Sequence, residues 1–491
     1  MKLTWCGRFD IKMSIREGKI LPCVYQKTFK GGLVMLKRCL VVLLLLMFLG
    51  VPAMADQIDG LASVNQPSPP SGLSNGTSPG LFVNPGGMGD VLIFPYYNVR
   101  NAVDFFKIVN TSGKGIVGKL RLREGKESKE VLDFLVCLSP HDEFTFWVAN
   151  PAMLGISGDT AVVLRANAIL PADDDTIVVP GGWNVAHTRT VAGVTADRTL
   201  EGYIEFFAIG SVTGTYFKSN VEGADDPVQA CMDLLGYDGL EDAPNSLIGE
   251  GYIYNFTNLL DQDGISTYAY KAVALANFAT DASMAANAGL GEDYPLFGST
   301  SALAGLDAVN YVLTKTHIYV LYDLQNWLMG QTDVILNFVT KKESVEAGKD
   351  LYVNKGNCGP GNYTDCCVPL KVQIYDDEEN TPKEEVDFSP REEGGGALLC
   401  NEVSYIPVGA TASPILETKL KEVNVDTTYE LGWLDFYFSN STADCMFATT
   451  VNSTDACGEP VIGLQLMDYF GGIIDHMLPV NYGVKIVLPL D

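Results

Sequence analysis

Short segments in which apolar and polar residues alternate restrict the fold of this chain more than any other feature. The clearest example lies at 116–123, where two sets of positions interleave: Ile116, Gly118, Leu120 and Leu122 with Val117, Lys119, Arg121 and Arg123. A period of two is that of a β-strand with one buried and one wet face. Segments 132–138 and 144–148 repeat the pattern after a turn at 139–142. Short strands, frequent turns and the absence of alternating helices predict a mainly β protein built from antiparallel, immunoglobulin-like β-sandwiches.

The rest of the chain predicts two such domains with a helical insert. Asp226 followed by Pro227 is typical of a helix start, and a second helix is predicted after Gly305. Residues 268–278 are read as a buried strand, and strand patterns return after 331. The predicted organisation is an upstream extension (1–34), a signal peptide (35–55), a flexible arm (56–82), a first β-sandwich (83–215), a mixed helical and loop insert (216–330) and a Cys-rich second β-sandwich (331–491).

The beginning of the chain resembles a targeting signal. A basic start at Met35, an apolar run to Val51 and the small-residue site Ala53-Met54-Ala55 follow the order of a secretory signal peptide, which predicts cleavage before Asp56. Lys30-Gly31-Gly32 reads like a translated ribosome-binding sequence, so translation is expected to start at Met35. The protein is then expected in the periplasm or outside the cell, with no membrane span in the mature chain.

Residues 56–82 are rich in Pro, Ser and Gly, which predicts a flexible arm. The apolar cluster at its end, Leu81 to Val83, is expected to dock on an edge strand of another copy if the protein assembles.

The charge of the chain excludes one class of partner. The net charge is −27, and the chain after Ala55 carries 24 basic and 58 acidic residues. Such a negative field repels phosphate backbones, so a nucleic-acid partner is not expected, whereas a protein partner, a surface glycan or self-assembly remains open. Acidic runs at 173–175 and 376–379 could bind Ca²⁺ loosely, although solvated loop charge is the simpler interpretation.

The cysteines predict disulfides. Eight follow the cleavage site, and an exported chain meets an oxidising compartment. Adjacent residues of an extended chain point in opposite directions, so Cys366 and Cys367 are expected to have different partners, one of them a staple for the loop that begins at Cys358. The candidates are Cys137, Cys231, Cys358, Cys366, Cys367, Cys400, Cys445 and Cys457.

No motif assigns a catalytic, cofactor-binding or metal-binding residue. Residues 76–80 fit G-x-S-x-G, but they lie in the arm rather than between a strand and a helix. The four histidines are scattered, and the EF-hand-like run at 261–264 has Leu259 and Tyr270 at ligand positions. A glycosidase carboxylate pair is defined by its separation in space and cannot be read from sequence.

Four segments resemble parts of a group of exported proteins of Gram-negative anaerobic bacteria: 90–97 (DVLIFPYY), 131–140 (VLDFLVCLSP), 332–342 (TDVILNFVTKK) and 372–379 (VQIYDDEE). The resemblance implies export and a β architecture, and it assigns no functional residue.

These observations favour a non-enzymatic structural, adhesive or binding protein of the bacterial envelope or exterior. The alternative is a secreted hydrolase that acts on polysaccharide. An aromatic cleft with a close carboxylate pair would favour the hydrolase, whereas a flat surface with exposed strand edges would favour binding or assembly.

Overall fold

The computed structural model shows a mainly β protein with several antiparallel sheets, which confirms the predicted fold class. It describes residues 15–16, 19–20, 81–165, 177–179, 183–256, 265–278, 305–347, 353–378, 388–389, 396–438, 447–451, 454–456, 458–469, 474–480 and 486–487. The described residues from 81 to 152 and from 156 to 487 belong to one compact unit. The other unit contains Met153–Gly155 and two short paired strands, β1 (Ile15–Arg16) and β2 (Lys19–Ile20).

Thirteen described strands lie between residues 81 and 276: β3 Leu81–Val83, β4 Val91–Asn98, β5 Ala102–Asn110, β6 Lys114–Glu124, β7 Glu130–Leu138, β8 Glu143–Ala149, β9 Val162–Arg165, β10 Ile177–Val179, β11 Trp183–His187, β12 Glu201–Thr213, β13 Leu247–Asn255, β14 Ser266–Lys271 and β15 Val273–Ala276.

The later strands are β16 Thr314–Lys315, β17 His317–Asp323, β18 Gln331–Asn337, β19 Val353–Asn354, β20 Cys366–Asp376, β21 Phe388–Ser389, β22 Ala397–Leu399, β23 Val403–Pro407, β24 Asn424–Val425, β25 Leu431–Tyr437, β26 Phe447–Val451, β27 Thr454–Ala456, β28 Glu459–Pro460, β29 Ile462–Tyr469, β30 Ile474–Val480 and β31 Ile486–Val487.

The first sandwich consists of two sheets that face each other. Their strand orders are β10-β11-β9-β8-β5-β13-β14 and β31-β3-β15-β4-β12-β6-β7. Phe94 of the second sheet meets Phe106 of the first with ring centroids 5.3 Å apart, and Phe106 stacks on Phe146 at 5.1 Å. Burial of these large rings provides much of the hydrophobic stabilisation of this core.

The second sandwich has sheets ordered β17-β25-β20-β19, with β22 also paired to β20, and β23-β18-β29-β30. Short pairs β16–β28, β21–β24 and β26–β27 complete the described strands. The strand β18 is buried on both faces: Val334 and Leu336 lie in the core of the second sandwich, whereas Ile335 lies in that of the first. The sheet of β18 therefore contributes to both cores.

The helices are short: α1 Pro151–Leu154, α2 Gly214–Phe217, α3 Pro227–Asp233, α4 Gly305–Leu313 and α5 Lys341–Glu346, with 3₁₀ turns at Ala196–Leu200, Leu234–Gly236, Asn326–Leu328 and Tyr363–Asp365 and a π turn at Lys218–Glu222. Both predicted helices are confirmed. An Asp226 carboxylate oxygen accepts hydrogen bonds from the backbone N–H groups of Val228 and Gln229, which caps α3. None of the described helices combines the length and apolarity that a membrane crossing requires.

The segment predicted as a mixed helical and loop insert also contains strands of the first sandwich. Residues 247–255 pair with 102–110 over the whole of β13, and β15 pairs with β4, so the predicted boundary at residue 215 falls inside this sandwich. One partner of β13, the strand β5, lies far away in sequence, which is why local patterns within the segment did not show that pairing.

Strand β3 begins at Leu81, slightly before the predicted start of the first sandwich at residue 83, and has its partners in its own chain. In β3, Leu81 pairs with Val487 and Val83 with Leu275, and both Leu81 and Val83 are buried. The expectation that this cluster docks on another copy is therefore wrong, because its edges are occupied by β15 and β31. The predicted signal peptide and the arm up to residue 80 lie outside the described residues.

The predicted wet face of β6 is also wrong, although the strand itself is confirmed. Lys119, Arg121 and Arg123 are buried and form ion pairs with carboxylates of other segments. Arg121 Nε lies 2.5 Å from a carboxylate oxygen of Glu130, and Arg123 Nε lies 2.6 Å from one of Glu205. Each buried cation keeps a counter-ion, which limits the desolvation cost: Glu205 is buried with Arg123, whereas Asp133 and Glu130 are partly exposed.

Six of the eight candidate cysteines form three disulfides. Cys137 pairs with Cys231 and thereby ties β7 to α3. Cys358 pairs with Cys366, and Cys367 pairs with Cys400, so the two adjacent cysteines have different partners, as expected from their opposite directions. Cys445 and Cys457 lie outside the described residues.

Candidate binding surface

The outer face of the sheet formed by β17, β25 and β20 carries an unusual set of side chains. Alternation along β17 places Ile318, Val320 and Tyr322 in the core. The intervening positions His317, Tyr319 and Leu321 face outward and are at least partly exposed. The outward side chains of a wet strand are ordinarily polar, so an aromatic and aliphatic outer face indicates more than a solvated sheet.

Strand register arranges this face in three rows. Each row joins one residue of β17, one of β25 and one of β20: Leu321–Trp433–Tyr375, Tyr319–Asp435–Gln373 and His317–Tyr437–Lys371. Trp433 and Tyr375 stack with ring centroids 3.9 Å apart and planes 7° from parallel. Tyr319 meets Trp433 nearly edge-on at 5.9 Å. Cross-strand aromatic pairs of this kind stabilise a sheet and also hold the rings in fixed positions.

We define the exposed apolar patch as Tyr319, Leu321, Trp327 and Met329, which lie on β17 and the turn after it. Their relative exposures are 47%, 66%, 71% and 61%. Among the described residues, the other exposed large apolar side chains are Val191 and Tyr237, which are less exposed, at 37% each, and remote in sequence. Exposed apolar side chains are thus concentrated in one short segment.

The turn that carries Trp327 and Met329 is fixed by hydrogen bonds. The backbone N–H of Gln325 donates to a carboxylate oxygen of Asp323 at 3.0 Å, and the indole N–H of Trp327 donates to Gln325 Oε1 at 2.6 Å. Met329 adopts a left-handed conformation with φ of 51°, which is unfavourable for a side chain with a Cβ. The turn therefore presents its apolar side chains in a defined conformation at some conformational cost.

Two exposed acidic residues lie at the end of the sheet where the turn lies. Exposed Glu430 precedes β25 and accepts a hydrogen bond from Asn326 of the turn at 3.0 Å. Exposed Asp377 follows β20, and the charges of Asp376 and Asp377 act on the nearby Tyr322 hydroxyl, whose pKa is raised to about 12 mainly by burial. The exposed cation Lys371 lies in the row farthest from the turn.

The edge of β17 is partly closed to another strand. β17 lies at the end of its sheet among the described strands, with β25 on one side. Toward its open side, the carbonyl of Leu321 accepts a hydrogen bond from Gln465, and the N–H of Asp323 donates to Thr332. These side chains of the neighbouring sheet occupy backbone groups that an added strand would need. A partner can therefore reach the face of the sheet more readily than its edge.

His317 and Asp435 form the one polar pair on this face that invites a catalytic interpretation. Nδ1 of His317 lies 2.8 Å from Asp435 Oδ1, as in the base and orienting acid of a hydrolytic triad. In the described part of the chain, the contacts found for the His317 ring are with Asp435, Tyr319 and Tyr437, none of which is a Ser, Thr or Cys nucleophile. The pair orients the imidazole on the aromatic face.

A second aromatic group lies on the outer face of the first sandwich. Phe105 lies 4.7 Å from Trp147 and 5.9 Å from Tyr252, and Trp147 lies 5.8 Å from Tyr254. All four side chains are half-buried and cover one another. Compared with the exposed apolar patch, this group offers less apolar surface to a partner.

Carboxyl groups with raised pKa values could also mark an active site, but here they lie deep in the structure. Burial raises the pKa of Glu402 to about 8, and burial also raises that of Glu205. Both side chains are buried, and Glu205 is paired with Arg123. Perturbed pKa values also arise in structural ion networks, and these groups join the segments of the two sandwiches rather than face solvent.

The buried side chain of Asp333 is expected to make the stability of the protein depend on pH. Burial raises the pKa of Asp333 to about 7, although the Tyr405 hydroxyl and the Ile415 N–H both donate to its Oδ2, at 2.5 and 2.6 Å. Above the ordinary pKa of an Asp side chain, the unfolded protein loses this proton while the folded protein keeps it, so stability falls as the pH rises towards 7.

We expect the titration of Asp333 alone to lower the free energy of unfolding by about 2–3 kcal/mol between about pH 5 and pH 8. The measurement is urea unfolding at both pH values for wild type and Asp333→Asn. An unchanged pH dependence in the variant would contradict the raised pKa.

The structure brings together few of the residues singled out from sequence. Of the acidic runs, 173–175 lies outside the described residues, and 376–378 lies at the end of β20 beside the aromatic face. No three His, Cys, Asp or Glu side chains of the described residues are close enough together to hold a metal ion. The G-x-S-x-G segment and the run at 261–264 also lie outside the described residues. The apolar patch was missed, although Trp327 and Met329 in a short turn could have indicated it.

No protein-family model, curated protein or solved structure matches the chain. The surface and charge of the molecule are therefore the ground for a proposed function.

Proposed function

We propose that this is an exported, non-enzymatic structural, adhesive or binding protein of the bacterial envelope or exterior, and that it binds its partner through the exposed apolar patch. The observation that carries the proposal is the concentration of exposed Tyr319, Leu321, Trp327 and Met329 in one segment. Contiguous exposed apolar surface is costly in water and usually marks an interaction site.

The residue types fit a protein interface. Trp, Tyr and Met are enriched at interfaces, and Trp and Tyr provide much of the binding energy where they are covered by a partner. The hydrogen-bonded turn and the stacked pair of Trp433 and Tyr375 hold their rings before any partner arrives. Binding then costs less side-chain entropy than it would at a flexible loop.

Export is supported by two independent features. The sequence contains the order of segments expected for a signal peptide that is cleaved before Asp56. Three disulfides join residues of the described chain, and such bonds persist in oxidising compartments. Periplasm and cell exterior agree equally with both features.

We expect the double substitution Leu321→Asn with Trp327→Ser to weaken binding of the protein to cells of the source bacterium by about tenfold or more, because it removes the two most exposed side chains of the patch. The measurement is saturation binding of fluorescently labelled protein, residues 56–491, to cells that lack the chromosomal copy.

The matched control is Val191→Asn with Tyr237→Ser, which makes the same kind of apolar-to-polar change at two exposed positions away from the patch. Circular dichroism and urea unfolding should show that both variants fold. Equal binding by wild type and the patch variant would refute the proposed role of the patch. Release of reducing sugar from envelope polysaccharide by the wild type would instead favour the hydrolase.

A further inference from the structure

We propose that the partner of the exposed apolar patch is a cationic protein segment that carries both apolar and Arg or Lys side chains. The inference rests on the proposed function, because it identifies the chemistry of the partner at the same surface. It is based on the charges and rings that lie together at the turn end of the aromatic face.

The first ground is charge complementarity. The chain has a net charge of −27, exposed Glu430 accepts a hydrogen bond from Asn326 of the turn that carries Trp327, and exposed Asp377 follows β20 at the same end of the sheet. The exposed cation Lys371 lies in the row of the sheet that is farthest from this end. A negative rim around an apolar centre attracts a positively charged partner and repels anionic ones.

The second ground is the identity of the exposed side chains. Trp327 and Tyr319 are exposed at 71% and 47%, and an Arg or Lys side chain can pack over an exposed ring by a cation–π interaction. Leu321 and Met329 offer aliphatic surface, which suits apolar side chains of a protein better than the hydroxyl-rich surface of a glycan. Rings and carboxylates together therefore favour a partner that is both basic and apolar.

The third ground concerns how such a segment reaches the surface. Because Gln465 and Thr332 occupy backbone groups on the open side of β17, the segment lies across the sheet face rather than adding as a further strand. In that position its cations can approach Glu430 and Asp377 while its apolar side chains cover Leu321 and Trp327. The central contacts exclude water, and the rim charges raise the association rate.

The test uses a short synthetic peptide of Arg, Leu, Ser and Gly, with matched peptides in which Gln or Glu replaces Arg. Binding to the protein of residues 56–491 is measured by fluorescence anisotropy at low and at physiological salt. We expect only the Arg peptide to bind measurably, with an affinity that falls as salt rises. Equal binding of the Gln peptide would overturn the proposal.

Because the whole chain is acidic, a matched pair of charge variants separates local from general attraction. Asp377→Asn with Glu430→Gln removes two charges at the patch, and Glu222→Gln with Asp225→Asn removes two from exposed positions of the first sandwich. We expect the first pair to weaken peptide binding by about fivefold or more and the second by less than about twofold. Equal losses in the two variants would overturn the proposal.

The patch variant Leu321→Asn with Trp327→Ser distinguishes failure of the cationic-partner proposal from failure of the proposed function. If it loses cell binding while both charge variants keep it, the patch binds but its partner is not cationic. Dextran serves as the neutral polysaccharide probe, and dextran binding that the patch variant loses and both charge variants retain would likewise replace the cationic partner by a glycan. If the patch variant binds cells as wild type does, the proposed function itself fails.

Discussion

Replacing Arg123 by methionine is expected to lower the free energy of unfolding by about 3–5 kcal/mol, since it leaves buried carboxylates without their counter-ion. Arg123 Nε lies 2.6 Å from Glu205 Oε2, one terminal nitrogen lies 3.1 Å from Glu343 Oε1, and the other donates to the Ser128 carbonyl at 2.8 Å. Burial raises the pKa of Glu205, and Arg123 opposes that rise. Methionine fills similar volume, so the loss reflects charge rather than a cavity.

Urea unfolding at constant pH measures the loss, and Lys107→Met is the matched control. Lys107 forms a pair with Glu143 at 2.6 Å on the outer face of the first sandwich, where both side chains are substantially exposed. Pairs of that kind contribute less than about 1 kcal/mol. The combination Arg123→Met with Glu205→Leu should recover part of the loss, because the buried carboxylate that had lost its counter-ion is then removed as well. Similar losses for Arg123→Met and Lys107→Met would show that the buried network contributes no more than a surface pair.

The same residues show what could be predicted from sequence and what could not. Alternation around Lys119, Arg121 and Arg123 correctly predicted a strand, because the side-chain period depends only on backbone geometry. Arg123, for example, is buried against Glu205 and Glu343, which lie far along the chain and approach it only in the folded protein. A local pattern shows which side of a strand is polar. It does not show whether another layer covers that side.

The pairing of β3 with β31 has a similar explanation. The apolar cluster at Leu81 to Val83 was expected to pair with the edge of another strand, and it does pair with strands. Local sequence does not encode which strands these are. The structure supplies one from residues 486–487 and one from 273–276 of the same chain. Capping α3 with Asp226, in contrast, involves neighbours within three residues and was predictable.

The exposed face of β17 could not be predicted from sequence, because its apolar pattern is typical of a buried strand. Tyr319 and Leu321 alternate with Ile318 and Val320, so the strand resembles one that is buried on both faces, as β18 is. Only the absence of a covering layer over this face, among the described residues, leaves Leu321 exposed at 66%. A similar apolar pattern therefore belongs to a strand buried on both faces in β18 and to a strand with one exposed face in β17.

Removing the disulfide between Cys137 and Cys231 by the double substitution to serine should cost about 4 kcal/mol, more than removal of either other described disulfide. Its cysteines are 94 residues apart, compared with 33 for Cys367–Cys400 and 8 for Cys358–Cys366. In the chain-entropy account, a longer closed loop restricts the unfolded chain more, so its loss releases more entropy. Val117, Phe217 and Leu234 form the small core that the bond supports.

The matched comparison is Cys358→Ser with Cys366→Ser, whose short loop predicts a loss smaller by about 2 kcal/mol. Urea unfolding under non-reducing conditions gives both values, and limited proteolysis shows where the chain opens. In the first variant, cleavage should begin near α3, because the bond that holds the helix to β7 is gone. Equal losses in the two variants would mean that native packing around each bond, rather than loop length, determines its contribution. Because α3 is short and Cys231 is its one buried residue, packing alone is a weak anchor for it, and loop closure is the larger effect.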